Sequence, residues 1–186
     1  WQMWEHYLYN LTDPTVREDY EWVKQILTDS KKDLMSNGYD EIAIDDFYST
    51  FLDQFKQIET LQDKPEEEKQ ALLQKSFCTE DWGAYMIMYA WFLTGFYLKQ
   101  NSILYEMFLV EYADMDTFVT REVETVNHEA EQMHIIAITN YLGIQATIFQ
   151  VTDNGKISPS TIPEDNPQGR FKANLLFIPG HYEALY

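Results

Sequence analysis

His181 and Glu183 stand two residues apart near the end of the chain, in Leu175-Leu176-Phe177-Ile178-Pro179-Gly180-His181-Tyr182-Glu183-Ala184-Leu185-Tyr186. An imidazole beside a carboxylate is the proton-handling part of a nucleophilic catalytic set. The ring takes and returns a proton, and the acid orients the ring. The apolar run before them ends in Pro-Gly, which predicts a buried strand, a turn and a second short strand. Side chains alternate along a strand, so His181 and Glu183 share one face. An i, i+2 pair of this kind is also common on a merely exposed strand face.

The missing member would be a nucleophile. Cys78 is the one cysteine in the chain. It lies just before a predicted helix start, where a thiol pKa can fall, but Glu80 and Asp81 beside it disfavour a thiolate. A partly buried, inert cysteine is the plainer reading of Cys78. His134 sits among Met133, Ile135, Ile136 and Ile138 and reads as a satisfied core histidine. His128 with Glu129 and Glu131 lacks the second cluster that a metal site needs. No Gly-rich phosphate loop, no Gly-x-Ser-x-Gly elbow and no Cys-x-x-Cys pair is present.

The elements that must position this pair follow from periodicity. Trp1, Trp4, Tyr7, Leu8 and Leu11 recur at helical spacing. Asp13-Pro14 is a helix-start pair, and Tyr20, Val23, Ile26 and Leu27 form the stripe that follows. A short helix is expected over Ser30–Met35, stopped by Asn37-Gly38. Ile42-Ala43-Ile44 is read as a link into a long helix carrying Phe47, Phe51, Phe55 and Ile58 on one face. A charged turn over Asp63–Lys69 leads into a helix ending near Ser76. The uncharged run Trp82–Leu98 approaches the length of a membrane span, but its Tyr and Trp content reads as a buried helix. Ser102 is expected to cap a helix with Tyr105, Phe108 and Leu109 inward. Asp116 opens a further short helix, and Asn127–Leu142 forms another, closed by Gly143. Ile144–Val151 reads as a strand, Asp153-Asn154-Gly155 as a hairpin turn and Ser158–Gly169 as a surface loop. The layout is α+β: a large helical portion with a small, mostly antiparallel sheet.

Charge narrows the partners. The chain carries 31 acidic and 13 basic residues, a net charge of -18. That disfavours nucleic acid and anionic membranes, and favours a basic protein partner. A lone cysteine fits a reducing intracellular compartment, cytoplasm or nucleus.

Several segments together resemble the otubain family, the ovarian-tumour-type cysteine deubiquitinases. They are Ser30-Lys31-Lys32-Asp33-Leu34 through Gly38, Ile44-Asp45-Asp46-Phe47 with Thr50-Phe51, Tyr89–Leu98, Glu122-Val123-Glu124, His134-Ile135-Ile136-Ala137, and the ending from Leu175 to Tyr186 with its Pro-Gly-His-Tyr. The match runs in order along nearly the whole chain. The resemblance implies a papain-like α/β-type fold and one domain over residues 1–186, with a helical insert over 13–101 and a helix plus sheet over 127–186. It implies a Cys–His–acid triad acting on the isopeptide bond of ubiquitin or polyubiquitin, with no cofactor and no metal. His181 falls on the catalytic His. Glu183 falls on the acid, usually Asp in the family, so its longer side chain must fold back to reach the ring. The family's nucleophile lies in an Asp-Gly-x-Cys-Phe segment, expected just upstream of Trp1. Two functional expectations stand: a longer deubiquitinase, or an inactive relative that binds ubiquitin or other proteins without cutting.

Overall fold

The structure is a computed structural model that describes residues 1–78, 80–125, 130–152, 155–164 and 171–186, without the side chains of 77–81. Its contacts divide into two compact units, Trp1–Ala90 and Trp91–Tyr186.

The first unit is helical. Helix α1 spans Gln2–Asn10 and α2 spans Pro14–Ser36. Asp13 caps α2, its carboxylate accepting from the Thr15 amide at 2.8 Å, with Pro14 in the first turn. The short helix expected over Ser30–Met35 is instead the end of α2. Ser30 is fully buried, and its hydroxyl bonds back to the Leu27 carbonyl and across to the Tyr89 hydroxyl, so a polar residue sits inside the helix without breaking it. Helix α3 spans Glu41–Thr60, and the expected link Ile42-Ala43-Ile44 is its first turn. The Asp40 side chain accepts from the Ile42 and Ala43 amides, which moves the start forward. Helix α4 spans Glu66–Cys78, and α5 spans Glu80–Gln100, crossing from the first unit into the second.

Aromatic rings fill the first core. Phe55 meets Trp4 at 4.8 Å and Tyr20 at 5.3 Å between ring centroids, and Tyr7 meets Tyr20 at 5.4 Å. Phe51, Phe55 and Ile58 are buried as their spacing predicts, while Phe47 is half-buried against Tyr85. The buried phenols are hydrogen-bonded: Tyr7 donates to Asp19 at 2.9 Å, and Tyr20 donates to the Phe55 carbonyl and to Glu59, each at 3.1 Å. Burial, reinforced by the Glu59 carboxylate, pushes the Tyr20 phenol well above its ordinary range, and burial does the same to Tyr89. An unfolded phenol ionises near about pH 10, while these two stay neutral when folded. Their contribution to stability is therefore complete below about pH 10 and is lost as pH rises toward their folded values. Alkaline titration is expected to release phenolate absorbance from these two rings together with the loss of helical circular dichroism, not before it.

Helix α5 buries Met86 and Tyr89 in its first-unit part and Leu93, Thr94 and Leu98 in its second-unit part, while Ile87 is exposed. Among the described residues no helix is long and apolar enough to cross a membrane.

The second unit packs short helices and a sheet. One-turn helix α6 (Ser102–Tyr105) runs into a 3₁₀ turn, Glu106–Phe108. Its cap position is Asn101, not Ser102, and Phe108 is 53% exposed rather than inward. Helix α7 (Met115–Phe118) is capped by Asp114, whose carboxylate accepts from the Thr117 amide, so Asp116 lies within the first turn. A π turn, Val119–Val123, follows. Helix α8 spans Gln132–Leu142; the expected earlier start near Asn127 and His128 lies outside the described residues. Gly143 ends α8 at φ 66°, a left-handed position that costs other residues about 1–2 kcal/mol. Gly143→Ala is expected to lower unfolding free energy by about 1 kcal/mol in urea denaturation, with an unchanged slope.

Four strands follow: β1 (Gln145–Val151), β2 (Ile157–Ile162), β3 (Lys172–Ile178) and β4 (His181–Ala184). Their order is β2-β1-β3-β4. β1 pairs antiparallel with β2 and parallel with β3, and β3 pairs antiparallel with β4. The sheet is mixed but mostly antiparallel, as expected. Strand β2 takes up the first part of the stretch expected as loop, residues 158–162. Its Pro159 is compatible with pairing because β2 is an edge strand, where a missing N–H can face away from the ladder. The expected turn residues Asp153 and Asn154 lie outside the described residues; the described strand ends pair as Val151↔Ile157.

Candidate active site

The sheet register decides where His181 points. One face carries Ala146 and Ile148 of β1, Ala173, Leu175 and Phe177 of β3 and Tyr182 of β4, packed with Ile135 of α8. Phe177 and Tyr182 stack at 5.0 Å. Alternation places His181 and Glu183 on the opposite face. There His181 lies across from Ile178, and Glu183 across from Leu176. Tyr182 thus anchors β4 to the core, and its two neighbours project away from that core.

His181 and Glu183 are both exposed. Their Cα atoms are separated by two strand residues, about 7 Å, which the three-bond Glu stem can span. The turn that delivers them is tight. Pro179-Gly180 connects paired Ile178 and His181, and Gly180 takes φ 86°, as the third position of a type II turn requires. The backbone that carries the imidazole is therefore fixed by a two-residue turn on one side and by the tilted Phe177–Tyr182 contact on the other.

The other sequence candidates separate from this pair. His134 is 9% exposed, and its Nδ1 accepts the Glu131 amide at 3.0 Å, closing the first turn of α8. It is a core histidine, as expected, and its ring is tied to the helix start through Nδ1. His128 and Glu129 lie outside the described residues, and among the described residues no cluster of His, Cys, Asp and Glu could hold a metal. Cys78 is the last residue of α4, and its side chain is not described. A helix C-terminus carries negative dipole charge, which works against a thiolate there.

One surface escaped sequence reasoning. Ile103, Leu104, Met107, Phe108 and Val110 are exposed, with Val110 at 89%. They form an apolar strip over α6, the 3₁₀ turn and the residues after it. Beside it opens a cleft of about 340 Å³ lined by Phe108, Val110, Glu111, Tyr112, Phe118, Glu122, Glu131 and His134. The Tyr112 hydroxyl donates to Glu122, and that bond raises the phenol's pKa. The strip is apolar and its cleft is acidic, a combination that suits a partner with an apolar patch and basic groups. A signal was present in the sequence: apolar residues crowd an element of one helical turn, too short to bury all of its sides.

The fold defines the class: an α+β protein whose edge strand β4 carries an exposed imidazole and an exposed carboxylate on one face. The structure superposes on a solved complex described as "The structure of a ceOTUB1 ubiquitin aldehyde UBC13~Ub complex" with a TM-score of 0.79 and 24% identity, over 95% of this chain and 69% of the matched one. That likeness establishes a shared fold. The chain belongs to the otubain family, since the profile of Peptidase C65 Otubain matches residues 6–186. It is 33% identical over 165 residues to "Ubiquitin thioesterase OTUB1" of Rattus norvegicus, covering 88% of this chain and 58% of the relative. The Homo sapiens protein of that name matches with the same identity and coverage. The "OVARIAN TUMOR DOMAIN-containing deubiquitinating enzyme 1" of Arabidopsis thaliana is 24% identical over 97% of this chain and 63% of its own length. The chain thus spans less than two thirds of the length of these curated relatives.

Proposed function

We propose that the full-length protein is a cysteine-type deubiquitinase in which residues 1–186 form one otubain-like domain and supply the base, the acid and a ubiquitin-binding surface. The observation that carries this reading is His181 and Glu183 projecting from the solvent face of β4 in a chain of the otubain family. The nucleophile is a cysteine upstream of Trp1. In the reaction, His181 takes the thiol proton, and the thiolate attacks the isopeptide carbonyl carbon. Collapse of the tetrahedral intermediate breaks the C–N bond as His181 returns the proton to the departing lysine amine. Water, deprotonated by His181, then cleaves the thioester and releases the ubiquitin C-terminal carboxylate and the thiol. Glu183 holds the ring in the orientation both steps need. The strip Ile103–Val110 receives the apolar surface of ubiquitin, and the acidic cleft beside it receives basic groups.

A ubiquitin probe with a C-terminal electrophile, added to the full-length protein, tests the thiol. The expected result is one covalent adduct at a cysteine upstream of Trp1, absent after prior alkylation. If no adduct forms while ubiquitin still binds, the protein is a binding module and not an enzyme.

A further inference from the structure

In the proposed mechanism Glu183 must reach His181 on a stem with three rotatable bonds, from an exposed position on an edge strand. A long side chain held only at one end loses orientation, and misplacement of a catalytic group by about 1 Å can cost 10²-fold in rate. A second anchor on the same face would hold it. Across β4, that face offers Leu176 directly opposite and Ile178 one step toward the turn, both apolar. One step the other way lies Asn174.

Three registers place this asparagine. Leu176 pairs with Glu183, and the Leu185 amide donates to the Asn174 carbonyl at 2.9 Å, so Asn174 is the diagonal same-face neighbour of Glu183. Diagonal neighbours lie about 7–8 Å apart, within reach of long side chains. Thr147 of β1 pairs with Asn174 on one side and with Thr161 of β2 on the other. The Thr147 and Thr161 hydroxyls are 3.1 Å apart, and Thr147 is buried. A polar row, Thr161–Thr147–Asn174, therefore crosses a face whose other described positions near Glu183 on β3 are apolar. It ends at the diagonal same-face neighbour of Glu183.

The chemistry of the amide suits the task. Asn donates N–H to a carboxylate without neutralising it. A Lys or Arg there would compete with the imidazolium for the same charge; an amide fixes the carboxylate and leaves that charge available to the ring.

We propose that Asn174 is a positioning residue, whose side-chain amide anchors the Glu183 carboxylate so that it faces His181. This rests on the assignment of His181 and Glu183 above. The test uses the full-length protein and a ubiquitin derivative with a fluorogenic C-terminal amide. Asn174→Ala is expected to lower kcat roughly tenfold with KM unchanged, and to narrow the pH–rate profile. Asn174→Gln restores part of the loss, and Asn174→Asp does not, because a second carboxylate repels Glu183. In a Glu183→Gln background, Asn174→Ala should cost nothing further. Wild-type kcat and pH profile in Asn174→Ala, or full additivity with Glu183→Gln, would overturn the proposal. A readout independent of turnover separates it from the enzyme assignment: Glu183→Gln should move the side-chain amide NMR resonance of Asn174 in the same protein. An unmoved resonance rejects the anchor even if the enzyme is active; a moved resonance in a protein without turnover keeps the anchor and rejects the enzyme.

Discussion

His181→Ala is expected to lower kcat of the full-length protein by about 10²–10⁴-fold, the range that one positioned general acid–base contributes. In the proposed mechanism the same group acts twice, on the thiol and on the departing amine, so the loss is expected in formation of the thioester as well as in its hydrolysis. KM should change little. The ring is exposed, and its β3 neighbour Ile178 is exposed too, so its removal leaves no buried cavity. The strand is held by Tyr182 against Phe177, on the other face. Thermal unfolding of His181→Ala should accordingly match wild type within the spread of surface substitutions. Steady-state turnover of a ubiquitin C-terminal amide, measured beside a melting curve, checks both halves. Retained turnover would remove His181 from the mechanism.

That separation of function from stability follows from how β4 is built, and it was partly readable beforehand. Alternation alone put His181 and Glu183 on one face, and Pro179-Gly180 marked the turn. What alternation could not give was the face itself. That required the register of β4 on β3 and the packing of Ala146, Ile148 and Leu175 with Ile135. Helix boundaries were legible where turn chemistry is written locally: Asp13 before Pro14 at a start, and Asn37-Gly38 and the left-handed Gly143 at ends. They were misread where a polar residue had two uses. Ser30 resembled a helix start but is a buried bond between α2 and the Tyr89 hydroxyl. Ile42-Ala43-Ile44 looked like a link, yet the Asp40 carboxylate accepts from the Ile42 and Ala43 amides and makes them the start of α3. Strand β2 was hidden by Pro159 within it and Pro163 just after it, since only pairing beside β1 reveals that Pro159 sits on an edge. The row through Thr147 and Asn174 was hidden for the same reason: its members are distant in sequence and meet only through strand pairing.

The apolar strip yields the second large effect. Phe108→Asp is expected to weaken ubiquitin binding by about 30-fold or more, the equivalent of about 2 kcal/mol and typical of a buried aromatic anchor at an interface. Two costs combine. The ring's apolar area no longer leaves water on binding, and a carboxylate must instead be buried against the partner's apolar surface. The new charge also adds to Glu111 and Glu122, which line the cleft beside Phe108. Phe108 is 53% exposed in this structure, so the substitution leaves the free protein's core intact. The effect should fall on KM and on the dissociation rate while kcat at saturating substrate stays near wild type, the reverse of His181→Ala. Reaction of the upstream thiol with a small alkylating reagent, which needs no ubiquitin surface, should be unchanged. Unaltered ubiquitin affinity, measured by calorimetry with Phe108→Asp and again with Met107→Asp, would show that the strip serves some other partner.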